Sequence, residues 1–186
     1  MSVPAWITAL VVAALAVYVV VIFNRLIRLR NMTREGWSGI DVQLRRRADL
    51  IPNLVATVKG YAEHERTVME EVTARRSATL NVTGVPEQAQ AQRELSGALG
   101  RLFAVAEAYP QLRADANFRA LQSELAETED HIQMARRYYN GCVRELNTLI
   151  ESFPSIIVAK SFGFAVAPYF ALDNAEQAAV PKVALQ

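Results

Sequence analysis

A run of twenty residues without a charged side chain, from Pro4 to Phe23, constrains this chain more than any other feature. At a rise of 1.5 Å per residue, a helix of twenty residues is about 30 Å long, which matches the hydrocarbon thickness of a bilayer. Core helices of soluble proteins rarely run this far without a charge. The run therefore predicts a membrane span at residues 4–23.

A cleaved signal peptide is the alternative interpretation of this run. Such a peptide has basic residues before a shorter apolar core, and small residues at its cleavage site. Here residues 1–3 carry no side-chain charge, and the basic stretch "NRLIRLR" follows the run directly. These features favour a retained transmembrane helix with a short extracytoplasmic N-terminus at residues 1–3.

Basic residues follow the predicted span closely and do not precede it. The candidate membrane-surface residues are Arg25, Arg28, Arg30 and Arg34. Because Lys and Arg near a span are retained in the cytoplasm, we expect an outward N-terminus and a cytoplasmic C-terminal part. Each of these arginines can add about 1 kcal/mol of attraction to anionic lipid.

The formal net charge of +1 conceals an uneven distribution. Residues 24–47 hold seven basic and two acidic side chains, whereas residues 48–186 hold thirteen basic and seventeen acidic ones. Since the basic excess is confined to the juxtamembrane part, it favours membrane lipid as a partner and argues against nucleic acid. The single cysteine, Cys142, excludes a disulfide within one chain and agrees with a reducing compartment.

Beyond the span, apolar residues recur at steps of three and four with almost no strand-like alternation, which predicts an all-α fold. The stripe of the first soluble helix consists of Ile40, Leu44, Ala48, Ile51, Val55, Val58, Ala62, Met69 and Val72. No strong breaker separates Phe23 from Ile40, so anchor and bundle are expected to share one long helix. Pro52 lies inside the stripe without shifting its phase, which predicts a kink rather than a break.

Two further amphipathic helices follow. The second carries Leu95, Leu99, Leu102, Ala106 and Tyr109, after a loop in which Pro86 suits the first helical turn. The third has a regular seam of alternating three- and four-residue steps from Phe118 to Phe153, with Asn117 or Asp115 as its cap and Pro154 after its end. Three such helices predict an antiparallel up-and-down bundle over residues 24–154.

The tail at residues 155–172 holds a single charge, Lys160, while Gly163 and Pro168 argue against a second straight span. Three interpretations stay open: the tail covers the bundle's groove, lies in the membrane interface, or binds another subunit. The candidate self-association residues are Ile156, Ile157, Phe162, Phe164, Tyr169 and Phe170. Residues 173–186 are predicted to be a flexible C-terminus.

The catalytic and metal-binding patterns that a helical bundle can hold, two-metal carboxylate sites among them, are not found in this sequence. Those sites need Glu three residues before each His, but Tyr61 precedes His64 and Thr128 precedes His131. The stretch "HERTV" places Val68 where a zinc helix needs its second histidine. Glycine-rich phosphate loops and the GxSxG pattern are absent. We therefore expect no enzyme, no metal and no cofactor.

Three consecutive arginines, Arg45, Arg46 and Arg47, are the remaining candidate site. Successive helical residues lie about 100° apart, so the three are predicted to fan over the surface away from Leu44 and Ala48. One interpretation is a solvated face or salt bridges to the acidic third helix. Its acidic candidates are Glu124, Glu127, Glu129 and Asp130. The other interpretation is a partner-binding site.

Three blocks of this sequence resemble the LemA family. They are "LIRLRNMTREGWSGIDVQLRRRADLIPNLVATVKGYAEHE" from Leu26, "AVAEAYPQLRADANFRALQSELAETEDHIQMARRYYNGCVRELNTLIESFPS", and "VAKSFGF". The likeness implies a bacterial membrane protein with one N-terminal span and a cytoplasmic helical bundle. The chain departs from the family pattern at His131, where arginine is common, and in the apolar "AVAPYFAL" after "FGF".

The resemblance implies no catalytic residues, and it includes a magnetosome-associated protein and members encoded near HtpX-type membrane metalloproteases. Together with the anchor, the seam and the apolar tail, it leads us to expect a non-enzymatic scaffold at the bacterial inner membrane. This scaffold would self-associate into a homo-oligomer through its tail and anchor, and would organise or shape the membrane. The alternative is an adaptor or regulator of another membrane protein, such as an HtpX-like metalloprotease.

Overall fold

The computed structural model describes the backbone of residues 3–171 and the side chains of residues 6–171. Its elements are α1 (Val3–Lys59), α2 (Arg66–Asn81), α3 (Val85–Glu107), α4 (Pro110–Ala114), α5 (Ala116–Glu151) and α6 (Ser155–Ser161). The described part contains helices and no strands, which confirms the predicted all-α class. The flexible C-terminus predicted at residues 173–186 lies outside the described residues.

The predicted anchor segment and the predicted first helix of the bundle form one helix, as expected. Helix α1 is continuous for 57 residues, with Pro52 in its interior as the predicted kink requires. The prediction that this helix continues to Val72 is wrong. The chain leaves the helix after Lys59 and starts α2 at Arg66, and the Arg76 Nε then donates to the Ala48 carbonyl at 2.6 Å. Met69 and Val72 are buried because α2 packs on the same core as α1. The apolar stripe therefore continues across residues 60–65 and does not reveal the turn there.

The chain divides into two compact units, and α1 and α5 contribute to both. Within the described residues, we call 43–131 with 170–171 the bundle unit, and 3–42 with 132–169 the hairpin unit. The bundle unit contains the last part of α1, the helices α2, α3 and α4, and the first part of α5.

Apolar faces of the long helices form the core of the bundle unit. The buried set is Ile51, Leu54, Val58, Ala62, Met69, Val72, Leu95, Ala98, Leu99, Leu102, Ala106, Leu112, Phe118 and Leu125. Helices α2 and α3 are antiparallel, since ion pairs join Arg75 to Glu94 and Arg101 to Glu71. Asp115 caps α5, as predicted, with its Oδ1 accepting from the Phe118 amide at 2.8 Å.

The hairpin unit pairs α1 with the second part of α5 and with α6. Its buried core is Ile22, Leu26, Leu29, Leu146, Ile150, Val158 and Ala159. Gly36 allows close approach of the two long helices, because a Cβ there would lie 3.2 Å from the Tyr139 Cα. The rings of Trp37 and Tyr139 pack beside this point with centroids 5.7 Å apart.

The tail packs along its own chain. The Asn147 amide nitrogen donates to the Ala167 carbonyl at 2.9 Å, and the Ala167 amide donates back to the Asn147 Oδ1 at 2.8 Å. The Tyr139 hydroxyl donates to the Pro168 carbonyl at 2.8 Å, and burial raises the pKa of this phenol. These bonds fix residues 167–168 against α5 and show that the tail covers part of its own hairpin.

Candidate functional site

The first part of α1 presents an apolar surface that nothing in the described chain covers. Every side chain from Trp6 to Val17 is exposed. The exposed large apolar residues between positions 6 and 21 are Trp6, Ile7, Leu10, Val11, Val12, Leu15, Val17, Val20 and Val21. Full burial of one such side chain is worth about 1.5–3 kcal/mol, so an aqueous setting would leave a large driving force unused. Among the described helices, α1 is long and apolar enough to cross a membrane.

A basic collar follows the apolar segment on the same helix. The four predicted membrane-surface residues are Arg25, Arg28, Arg30 and Arg34, and all are exposed. The opposite side of the helix is buried at Leu26 and Leu29, because these residues face α5 and α6 in the hairpin core. The Arg30 guanidinium lies over the Phe164 ring, 5.2 Å from its centroid.

The arginine triplet does not fan over one open surface. Arg45 and Arg46 are exposed, whereas Arg47 is only 6% exposed. The prediction that Arg47 lies on the exposed surface is therefore wrong. Arg47 lies seven residues after Ile40 and seven before Leu54, which is two helical turns in each direction. Because Ile40 and Leu54 are both fully buried, this heptad position belongs to the core-facing side of α1. The heptad spacing is the sequence signal that identifies it.

Polar partners from α3 and α5 surround the buried guanidinium. Arg47 Nη1 lies 3.3 Å from Glu129 Oε2, which is a salt bridge of the kind that one of the open interpretations allowed. Arg47 also donates to Ser96 Oγ at 2.8 Å and to Gln92 Oε1 at 3.5 Å. Burial lowers the pKa of Arg47, and the Glu129 carboxylate opposes this shift.

A groove opens beside the Arg47–Glu129 pair within the bundle unit. It has a volume of about 420 Å³ and runs between α3 and α5. Its lining residues are Arg47, Ser96, Leu99, Gly100, Phe103, Gln122, Leu125, Ala126 and Glu129. The groove thus has a charged pair at one side and mainly apolar walls.

The six predicted tail residues are not equivalent. Ile157, Phe162 and Tyr169 are exposed, Ile156 and Phe164 are half-buried, and Phe170 is fully buried. Phe170 therefore serves its own chain as a core residue and does not present a contact surface. Phe153, predicted as the last seam residue of the third helix, is instead 82% exposed because α5 ends at Glu151.

The described side chains give no arrangement typical of a catalytic centre. Cys142 is buried in the seam, as its position predicts. Within residues 6–171, no group of three or more His, Cys, Asp or Glu side chains is placed to hold a metal ion. The candidate sites in this part of the chain are surfaces: the apolar start of α1, the basic collar and the groove.

Comparison with known proteins places the chain among bacterial relatives. Magnetosome protein MamQ 2 of Paramagnetospirillum magneticum is 27% identical over 88% of this chain and 70% of its own length. Magnetosome protein MamQ of Magnetospirillum gryphiswaldense is 24% identical over 80% of this chain and 64% of its own length.

A third relative carries the family name suggested by the sequence blocks. Protein LemA of Metamycoplasma hominis is 27% identical over 74% of this chain and 63% of its own length. The family model described as "LemA family" matches residues 36–185, which is most of the chain. The match begins at the glycine where α1 approaches α5 and includes both the arginine triplet and the tail. The chain belongs to the LemA family.

Proposed function

We propose that this protein is a membrane-anchored helical scaffold that self-associates into a homo-oligomer at the bacterial inner membrane. The observation that carries the proposal is the contrast along α1. Its residues 6–17 are exposed and, apart from Thr8, apolar, whereas the same helix is buried at Ile40, Leu44, Ile51 and Leu54. One helix is thus both a lipid-facing surface and a core element, without a flexible linker in the described part.

The anchor also carries features suited to contact between copies. Ala9, Ala13 and Ala16 are exposed and lie at steps of four and three, so they form one small-residue face of the helix. Small residues let two transmembrane helices approach closely, and close packing rather than hydrophobicity drives their association in lipid. The similarity to proteins named for the magnetosome supports a membrane role for the assembled form.

The mass of the full-length chain in mild detergent tests this proposal. We expect particles with a fixed number of copies, as measured by single-particle imaging and light scattering. Ala9→Leu combined with Ala13→Leu should reduce the copy number, because larger side chains keep the helices apart. The matched control is Val11→Leu with Val12→Leu, which leaves the alanine face intact and should leave the copy number unchanged. A monomeric wild-type chain in detergent and in lipid nanodiscs would contradict the proposal.

The groove between α3 and α5 supports a second candidate function, an adaptor for another membrane protein such as an HtpX-like metalloprotease. A photo-crosslinking residue at Gly100, which lines the groove, would report an occupant. Gly97 lies one turn away on the same helix outside the groove lining and provides the control position. Crosslinks to one membrane protein from position 100 alone would favour the adaptor, and equal labelling at both positions would remove it.

A further inference from the structure

The turn between α5 and α6 presents large apolar side chains to the surroundings. Phe153 is 82% exposed, Ile157 is 59% exposed and Phe162 is 54% exposed. They are spaced across a short helix whose other side is buried at Val158 and Ala159 in the hairpin core. This corner, residues 153–162, therefore has one face buried in the protein and one apolar face that is largely exposed.

The position of this corner along α1 indicates what covers it. The rings of Phe162 and Phe23 lie 4.8 Å apart, and Phe23 is the last residue of the predicted span. Tyr18 and Val19, which lie inside that span, pack against the same core as Val158 and Ala159. Any segment packed against the end of a membrane span lies at the depth of the headgroups or the adjoining acyl chains.

The net charge near the end of the span is positive, which anionic lipid attracts. Residues 22–30 and 144–163 together hold five basic side chains, Arg25, Arg28, Arg30, Arg144 and Lys160, and two acidic ones, Glu145 and Glu151. Lys160 is exposed in the last turn of α6, where its long side chain can extend to the phosphate level while Ile157 and Phe162 face lipid.

Several backbone groups at both ends of the corner have partners within the protein, which suits a lipid environment, where polar groups need internal partners. The amides of Ile156 and Ile157 donate to the carbonyls of Ser152 and Pro154, and the Ser155 hydroxyl donates to the Leu149 carbonyl at 2.7 Å. At the other end, the amides of Phe162, Gly163 and Phe164 donate to Val158, Lys160 and Ala159.

We propose that the α5–α6 corner is a second membrane contact, with Phe153, Ile157 and Phe162 seated in the lipid interface beside the end of the α1 span. The proposal rests on the membrane anchor of the proposed function and adds a site on a different part of the chain. It assigns lipid, rather than a second copy of the chain, to the exposed face of residues 153–162.

Fluorescence quenching in vesicles tests this site on the full-length chain. In a Trp6→Phe, Trp37→Phe background, single tryptophans replace Leu15, Ile157 or Met134, which are all exposed. Met134 lies about 25 Å along α5 from the end of that helix and serves as the matched control. The vesicles contain phosphatidylcholine and phosphatidylglycerol, brominated either near the carbonyl or deep in the acyl chain. Circular dichroism verifies that each variant is helical.

We expect shallow bromines to cause the largest loss of emission for Ile157→Trp, deep bromines for Leu15→Trp, and neither for Met134→Trp. Quenching at position 15 without quenching at position 157 overturns the lipid contact and leaves the anchor intact. A blue-shifted but unquenched signal at position 157 also overturns it, because protein then covers the corner. Absence of quenching at position 15 overturns the anchor, and the corner assignment fails with it.

Discussion

Gly163 is the residue on which the end of α6 depends. Its φ of +69° is a left-handed conformation that side chains with a Cβ rarely adopt. The Phe164 amide bonds back to Ala159 and the Gly163 amide to Lys160, which is the Schellman arrangement that directs the tail towards α5. We predict that Gly163→Ala destabilises the protein by about 1–2 kcal/mol, measured by thermal unfolding in detergent. Gly141→Ala, at an open position inside α5, should instead stabilise by about 0.5–1 kcal/mol.

The ion pair between Arg47 and Glu129 couples the contributions of these two residues to stability. Glu129→Gln leaves a buried guanidinium without its counter-charge, and since the Glu129 side chain is 40% exposed the cost is reduced to about 1–3 kcal/mol. We predict that Arg47→Met added to Glu129→Gln restores much of this loss, because methionine replaces the apolar stem of the arginine and needs no counter-ion. Chemical denaturation of both single variants and the double variant measures the coupling. Arg46→Met, at an exposed position, should stay within about 0.5 kcal/mol of wild type.

At the scale of elements, the approach of α1 to α5 in the hairpin unit depends on one glycine. A Cβ at Gly36 would lie 3.2 Å from both the Tyr139 Cα and the Tyr138 Cδ1, whereas Gly39 has no neighbour within 4 Å. We predict that Gly36→Leu separates the helices and costs about 1–3 kcal/mol. Gly39→Leu on the same helix should stabilise by about 0.5–1 kcal/mol through helix propensity. Equal thermal midpoints for the two variants would show that the close contact is unimportant.

The start of α5 gives a pH-dependent prediction. The Phe118 amide and then the Tyr61 hydroxyl hold the pKa of Asp115 below its usual range. A depressed folded-state pKa means that the carboxylate stabilises the fold above the unfolded pKa of about 3.9, and that this stabilisation is lost as pH falls through the folded value. Asp115→Ala should therefore lower the thermal midpoint at pH 7, with a smaller effect below about pH 4. Asp115→Asn keeps a capping acceptor that does not titrate, so it should lose less stability on acidification than wild type.

A helix whose apolar residues recur at regular steps can be predicted from the sequence. Contacts between residues far apart in the chain cannot, because spacing along one helix does not encode them. The α5 seam from Phe118 to Leu149 is buried or half-buried as predicted, since every step keeps the same face inward. The turn at residues 60–65 was missed because α1 and α2 contribute their stripes to one core. The burial of Arg47 is not predicted if an arginine is assumed to be exposed. It is predicted by the heptad position that Arg47 shares with the buried Ile40 and Leu54. The bonds of the tail to Asn147 and Tyr139 join distant positions, which spacing along the chain does not encode.

At the scale of the whole molecule, membrane attachment and folding are separable properties of α1. Residues 6–17 are exposed, and the hairpin core begins only with Tyr18, Val19 and Ile22. Removal of residues 1–17 should therefore leave the helical signal unchanged and the thermal midpoint within about 5 °C, because little buried surface is lost. The same truncation should change extraction from membranes by alkaline carbonate, which releases peripheral proteins and leaves spanning ones in the pellet. We expect the full-length chain in the pellet and the truncated chain in the supernatant, since the interfacial corner alone lacks a span. Release of the full-length chain would contradict the anchor, whereas unfolding of the truncated chain would show that the apolar segment contributes to the fold as well as to attachment.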